Sequence, residues 1–485
     1  MFEKREINLA VLVFMVTLLM FGGIMFVSYA TDTYATIGNL NKTAYSMITR
    51  NGRPVIAAFF LVCNILGITG KNFLICSNIV ALIMVGASIY VFSLILKEYI
   101  AEDFIVMILS VVTIANLYII EYFMFMEKGA MMLGIFLAVL GTYFEHEHLK
   151  KKSSKIVDKY TIYILGCIFL ATFTYQTAST MYIVLSIPFI YHYSATISKY
   201  IEKLFRVFVI FGITYLANAL FLKCTVSSRM KMGLNIKYPL KGLIETTIRT
   251  FNIIPAGIYA AVLVIAIILN VFDIFGTTKD KKKSIVGFVS LVAISNLLPI
   301  ISIFLSSGWY TPRVVYPLGS FAGILFVNYL INGDTVFVTM KRKYMIASLI
   351  GIFLVFQYFG FSHIYEDKYV LNSLDEYRIY QIGDIINEYE KNTGNKVTQI
   401  AIYRDAKPYS RQQYFENLYD GGDLIVSSFT EKWSDVNAIN YYLGKKYVKA
   451  DITNKMKDYF HAKNWNHFSK EQLYFNQNVL HLCVY

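Results

Sequence analysis

Apolar residues run in long blocks along most of this chain. Stretches of roughly 18 or more with few charges are long enough to cross a hydrocarbon core as helices, and they recur from Ile7 to about Phe361. The pattern predicts spans at 7–29, 74–96, 104–120, 129–145, 160–175, 179–196, 206–222, 255–275, 285–305, 312–331 and 344–361. A further stretch, "RPVIAAFFLVCNILGIT" (53–69), is shorter and begins with Arg-Pro. It either crosses or lies along the surface as an interfacial helix. The first run is too long for a signal-peptide core and further spans follow it, so it reads as a retained helix.

Beyond Ser362 the pattern changes. "SLDEYRIYQIGDIINEYEKN" (373–392) has helical periodicity with an acidic face, "KVTQIAIY" (396–403) reads as a strand, "SDVNAINYYLG" (434–444) as a helix and "VLHLCVY" (479–485) as a closing strand. The expectation is a polytopic α-helical membrane domain over 1–361, with about eleven spans and interfacial helices in the first long loop. A small α/β domain follows over 362–485.

Composition fits that division. Of 485 residues 56% are hydrophobic and 16% charged, too little polar surface for a soluble protein of this length. The net charge of +13 is uneven: residues 362–485 hold 15 Lys+Arg against 16 Asp+Glu, leaving 30 against 16 before them. Basic clusters at 4–5, 150–155, 199–206, 279–283 and 341–343 all fall on one side if 53–69 does not cross, and the positive-inside tendency makes that side cytoplasmic. The N-terminus is then inside and the tail outside. The cations are scattered through short loops, which argues against nucleic acid as a partner. Cys63, Cys76, Cys167, Cys224 and Cys483 show no metal spacing and read as free thiols. "HEH" (146–148) falls on the cytoplasmic side, and no metal site is indicated.

Four acids before Ser362 face outward on this map: Asp32, Glu121, Glu127 and Glu245. Asp32 ends the first span and Glu127 starts another. A carboxylate at such a helix end is either solvated by headgroup water or partly desolvated. In the second case its pKa rises and it suits proton removal from a hydroxyl. Arg313 stands at the mouth of a span in "GWYTPRVVYP". It is either a snorkelling anchor or a phosphate ligand, since guanidinium binds phosphate oxygens in pairs and stays charged. In "FTYQTASTMY" (173–182), Gln176 and several hydroxyls interrupt two apolar segments, as groups do that line a cavity or bind across helices.

Taken in order, "SYATDTY", "NGRPV" (51–55), "TYQT" (174–177) and "TPRVVYP" (311–317), with a small domain after the last span, resemble the bacterial O-antigen glucosyltransferase II family of C-type (GT-C) membrane glycosyltransferases. Members often carry paired acids after the first span; here Asp32 stands alone between Thr31 and Thr33. The resemblance implies transfer of a hexose, glucose or a similar sugar such as N-acetylhexosamine, from a polyprenyl-phosphate donor to a cell-surface glycan. The location is the outer face of the bacterial cytoplasmic membrane, and a donor-synthesising glycosyltransferase and a flippase would be partners. On that chemistry Asp32 is the base and Glu127 shares the role or positions the acceptor. Arg313 holds the leaving phosphate with Arg53, Arg50, Arg229 and Lys231. Tyr175, Gln176, Tyr34, Trp309 and Tyr310 line the sugar and acceptor pocket. A polysaccharide polymerase or ligase, a carrier of lipid-linked sugars and a glycan-binding sensor are the rival readings.

Overall fold

The computed structural model describes residues 4–25, 28–151, 158–225, 241–242, 244–245, 248, 250, 253–276, 280–305, 311–333, 339–404, 426–461 and 468–484. Among them seven helices are long and apolar enough to cross a membrane. They are α1 (Lys4–Phe21), α5 (Gly70–Lys97), α8 (Lys128–Lys150), α11 (Ile197–Thr225), α12 (Ala256–Gly276), α13 (Lys281–Leu305) and α16 (Met340–Thr393). The chain is a helical membrane protein. Each of these helices covers one of the eleven apolar blocks.

The other four blocks form shorter helices. Block 160–175 is α9 (Lys159–Thr174) and block 179–196 is α10 (Gln176–His192). Every residue of α10 from Thr177 to Ile190 is buried, so protein surrounds it. A core helix and a lipid-facing one look alike in sequence when both are apolar. Blocks 104–120 and 312–331 are interrupted. The first becomes α6 (Asp103–Ile114) and α7 (Ile119–Phe123), and the second a turn, α14 (Tyr316–Gly319) and α15 (Phe321–Asn332). At about 1.5 Å per residue α6 extends only about 18 Å, short of a hydrocarbon core of about 30 Å.

The two interruptions meet. The Asn116 side chain donates from Nδ2 to the Tyr316 carbonyl at 3.1 Å and to Ser320 Oγ at 2.8 Å. Ser320 Oγ in turn donates to the Thr113 carbonyl at 2.6 Å. Broken helices expose carbonyls and N–H groups that must find partners away from water, and each break here partners the other. The approach depends on small residues. A Cβ on Gly319 would come within 2.4 Å of Asn116 Oδ1, and one on Gly323 within 2.4 Å of Thr113 Oγ1.

Between the first two long helices lie α2 (Thr31–Thr36), α3 (Leu40–Thr49) and α4 (Pro54–Ile65). Helix α4 carries the doubtful 53–69 stretch. Its 12 residues extend about 18 Å. It pairs with α3 and packs on α8 and α9.

Helix α16, 54 residues in all, continues without a break past Phe361 until Gly394 ends it in a left-handed C-cap. The remainder forms a four-stranded sheet of β1 (Gln399–Arg404), β2 (Val448–Lys449), β3 (Leu473–Asn476) and β4 (Val479–Val484), in the order β2-β1-β4-β3. β1 is parallel to β2 and β4, whereas β3 is antiparallel to β4. Two helices accompany it, α17 (Asp435–Leu443) and α18 (Asn454–His461). Ile400, Ile402, Leu480 and Leu482 of the central strands pack with Ile382 and Ile386 of α16 and Ile439 of α17. Helix α17 touches both α16 and α2, so the sheet domain rests directly on the segment that carries Asp32.

Candidate functional site

Asp32 lies in the first turn of α2 and is exposed. The short helix is held on three sides. Thr33 Oγ1 accepts from the Ala30 N–H at 3.1 Å, closing the turn locally. Asn372 of α16 grips the preceding residue twice: its Oδ1 accepts from the Tyr29 N–H at 2.8 Å and its Nδ2 donates to the Tyr29 carbonyl at 3.1 Å. From the tail, the Tyr441 hydroxyl meets that of Tyr29 at 3.0 Å and the Tyr442 hydroxyl that of Tyr34 at 3.2 Å. Tyr34 is therefore buried against α17, its ring stacked on Tyr29 with centroids 5.2 Å apart.

Glu127 is the N-cap residue of α8 and is buried. The start of α8 is fastened to α5, because Ser77 Oγ donates to the Met126 carbonyl at 2.7 Å and accepts from the Gly129 N–H at 3.0 Å. Burial raises the Glu127 carboxyl above its ordinary range. Arg53 and Arg313 pull it down, Asp32 pushes it further up, and the net direction is upward. Those influences carry the geometry of interest: the two carboxylates and the two guanidinium groups share one neighbourhood.

Arg53 precedes Pro54 at the start of α4, and its N–H donates to the Met47 carbonyl at 2.9 Å. Gly52 makes the approach possible. It sits at φ +64°, and a Cβ there would fall 1.8 Å from Leu222 Cδ2, so both conformation and space require glycine. The Arg53 guanidinium lies over the Tyr175 ring, 4.5 Å from its centroid, a favourable cation–π placement. Tyr175 meets Tyr122 edge-on at 5.4 Å.

Arg313 is fixed through its backbone. Its N–H donates to Glu121 Oε2 at 2.8 Å, and its carbonyl accepts from Tyr122 Oη at 3.0 Å and Thr177 Oγ1 at 3.1 Å. Its guanidinium stacks on Phe125, 4.1 Å from the ring centre. Three buried side chains thus hold one turn in the 311–316 segment, and the charged head lies over the Phe125 ring within electrostatic reach of Glu127.

The sequence-level candidates separate accordingly. Asp32, Glu127, Arg53, Arg313 and Tyr175 come together. Gln176 turns toward α11, donating to Asn218 Oδ1 at 3.2 Å, and Tyr34 turns toward the tail. Arg50 is exposed at the end of α3. Arg229, Lys231, Trp309 and Tyr310 lie outside the described residues. No known protein-family model matches this chain, and no curated protein matches it.

Several contributors were not singled out by pattern. Glu121 was one of the four outward acids, but its grip on the Arg313 backbone, shared with Tyr122, shows only once the chain folds back into α7 after the break. Lys128 and Lys368 are both buried, and Asp375 accepts from Ser427 Oγ at 2.7 Å and from the Ser428 N–H at 2.6 Å. Lys368 and Asp375 lie on the part of α16 beyond the last apolar block, where the sequence offers only an amphipathic helix.

Among the described residues, Glu98, His146 and Glu147 are close enough together to hold a metal ion. The Lys150 ammonium already bridges the two carboxylates, at 2.7 Å from Glu98 and 2.8 Å from Glu147. This group is toward the opposite end of α8 from Glu127, about 30 Å away along the helix.

Proposed function

We propose that the chain is a membrane glycosyltransferase of the GT-C type. It transfers a hexose from a polyprenyl-phosphate donor to a surface glycan at the outer face of the bacterial cytoplasmic membrane. The observation that carries the reading is the meeting of Asp32 and Glu127 with Arg53 and Arg313, reached from four separate parts of the chain. Transfer from a lipid phosphate needs cations that stabilise the departing phosphate and a carboxylate that takes the proton of the attacking hydroxyl.

Arg313 and Arg53 bind the phosphate of the donor, each guanidinium stiffened by an aromatic ring beneath it. Asp32, the exposed acid, removes the acceptor proton, and Glu127 stands behind it as the second carboxyl. Tyr175 and Tyr122 form the wall beside the sugar. The polyprenyl tail lies among the apolar helices. Eleven segments reach the bilayer, some of them in broken form, and the tail is outside.

The test is transfer of a labelled sugar from synthetic polyprenyl-phosphate hexose in proteoliposomes. General-base loss costs roughly 10²–10⁴ in rate, so Asp32→Asn should abolish most product with insertion unchanged. Near-full turnover by that variant would overturn the assignment. One observation favours a second reading. Paired broken helices like those joined at Asn116 and Ser320 also occur in carriers, and a carrier would move the lipid-linked sugar across the bilayer with no transfer to acceptor.

A further inference from the structure

The tail presents a cavity of about 230 Å³ lined by Tyr403, Arg404, Lys457, Phe460, His461 and Cys483 among others. Its place in the sheet is informative. Arg404 ends β1, and Cys483 lies at the carboxyl end of the parallel neighbour β4. From β1 the chain crosses to β2 on one side, and β4 occupies the other. Open α/β sheets bind ligands in the crevice outside the carboxyl ends of their strands, where the connections diverge to opposite sides. Cavity and topology thus point to one spot by separate routes.

Charge narrows the ligand class. Among the described residues the lining contains Arg404, Lys457 and His461 and no carboxylate. Among the described residues Asp435 engages Arg404, 2.7 Å from its guanidinium, and the same carboxylate is bound by Lys449 Nζ at 2.8 Å. Arg404 is thus paired and shares its anion with Lys449 outside the lining, and Lys457 supplies the cavity's further cation. The wall adds the rings of Tyr403 and Phe460, 5.2 Å apart, which offer an apolar face. The volume is below the roughly 300–1,000 Å³ of sites for drug-sized ligands, a size suited to one sugar ring.

We infer that this cavity binds an acidic sugar unit, a pyranose bearing a carboxylate or phosphate, on the glycan that accepts the transferred hexose. The role as acceptor rests on the proposed function; the binding itself does not. Full-length protein in nanodiscs should bind a glucuronate-containing tetrasaccharide at least tenfold more tightly than a neutral glucan tetrasaccharide, measured by calorimetry without donor. Lys457 is exposed on α18, so Lys457→Glu should keep the fold and weaken the acidic ligand tenfold or more, with Lys457→Gln intermediate. Asp32→Asn should leave the affinity unchanged.

Equal affinity for acidic and neutral glycans, or an unaltered affinity in Lys457→Glu, would overturn the site. Inorganic phosphate competing as strongly as the tetrasaccharide would overturn its preference for a sugar. Transfer that persists without tetrasaccharide binding sinks this inference alone. Binding that persists when no donor supports transfer sinks the catalytic reading instead.

Discussion

Replacing Asn372 by leucine tests whether Asp32 works only when α2 is seated. Asn372 touches neither Arg53 nor Arg313 in any described hydrogen bond, and its two hydrogen bonds go to the Tyr29 backbone three residues before Asp32. Leucine has similar bulk and can make neither bond. Each is worth about 1 kcal/mol net, so seating weakens by about 2 kcal/mol, equivalent to up to about 30-fold in the seated fraction. The expected result is a fall in kcat approaching that factor at saturating donor, with the donor KM little changed because the phosphate-binding groups are untouched. Asn372→Asp keeps an acceptor for the Tyr29 N–H and should fall between the two. Thermal unfolding in detergent checks that the variant is folded. If Asn372→Leu is folded and turns over at the native rate, the placing of Asp32 by α16 has no bearing on activity.

Other substitutions probe the remaining parts of the site. Burial raises the Glu127 carboxyl, so it stays protonated to a higher pH than an ordinary glutamate near 4.3. If it shares the base role, activity is lost as pH falls through that raised value. Glu127→Gln should move the acid limb of the pH–rate profile downward, since the like charge beside Asp32 is also gone. Arg313→Lys keeps the charge but loses the paired geometry and the flat contact with Phe125; donor KM should rise about tenfold in a titration of synthetic donor, and an unchanged KM would remove Arg313 from the phosphate site. Gly52→Ala forces a side chain into a left-handed conformation costing about 1–2 kcal/mol, against Leu222; lower stability and weaker donor binding should appear together.

What the sequence disclosed follows from what averaging can see. Long apolar helices such as α5 and α12 stand out because eighteen or more residues agree. The position of Asp32 after the first block, and of Arg313 in its Thr-Pro turn, were legible because a charge beside an apolar run is conspicuous. The breaks at Asn116 and Ser320 were not legible. Each is one small polar residue in an apolar block, and its effect comes from a partner some 200 positions away. The continuity of α16 was also hidden, because composition changes at Ser362 while the backbone does not. In the tail, β1, α17 and β4 matched expectation within a few residues. β3 escaped because its turn to β4 runs through Gln477, at φ +51°, and Asn478, without the Asn-Gly signal that marks most tight hairpins.

Helix α16 is a strut about 81 Å long, more than twice the thickness of a hydrocarbon core of about 30 Å. Its apolar half belongs to the bilayer, Asn372 sits partway along it, and the tail's sheet is built against its far end. Tilting such a rod by 5° about its membrane end swings the other end by about 7 Å. Tilting is one way a long hydrophobic helix answers a thinner bilayer, and any such tilt of α16 would act through a lever on the tail and on the anchor of Asp32. The rod that would carry such a tilt is the one whose Asn372 holds the segment bearing Asp32.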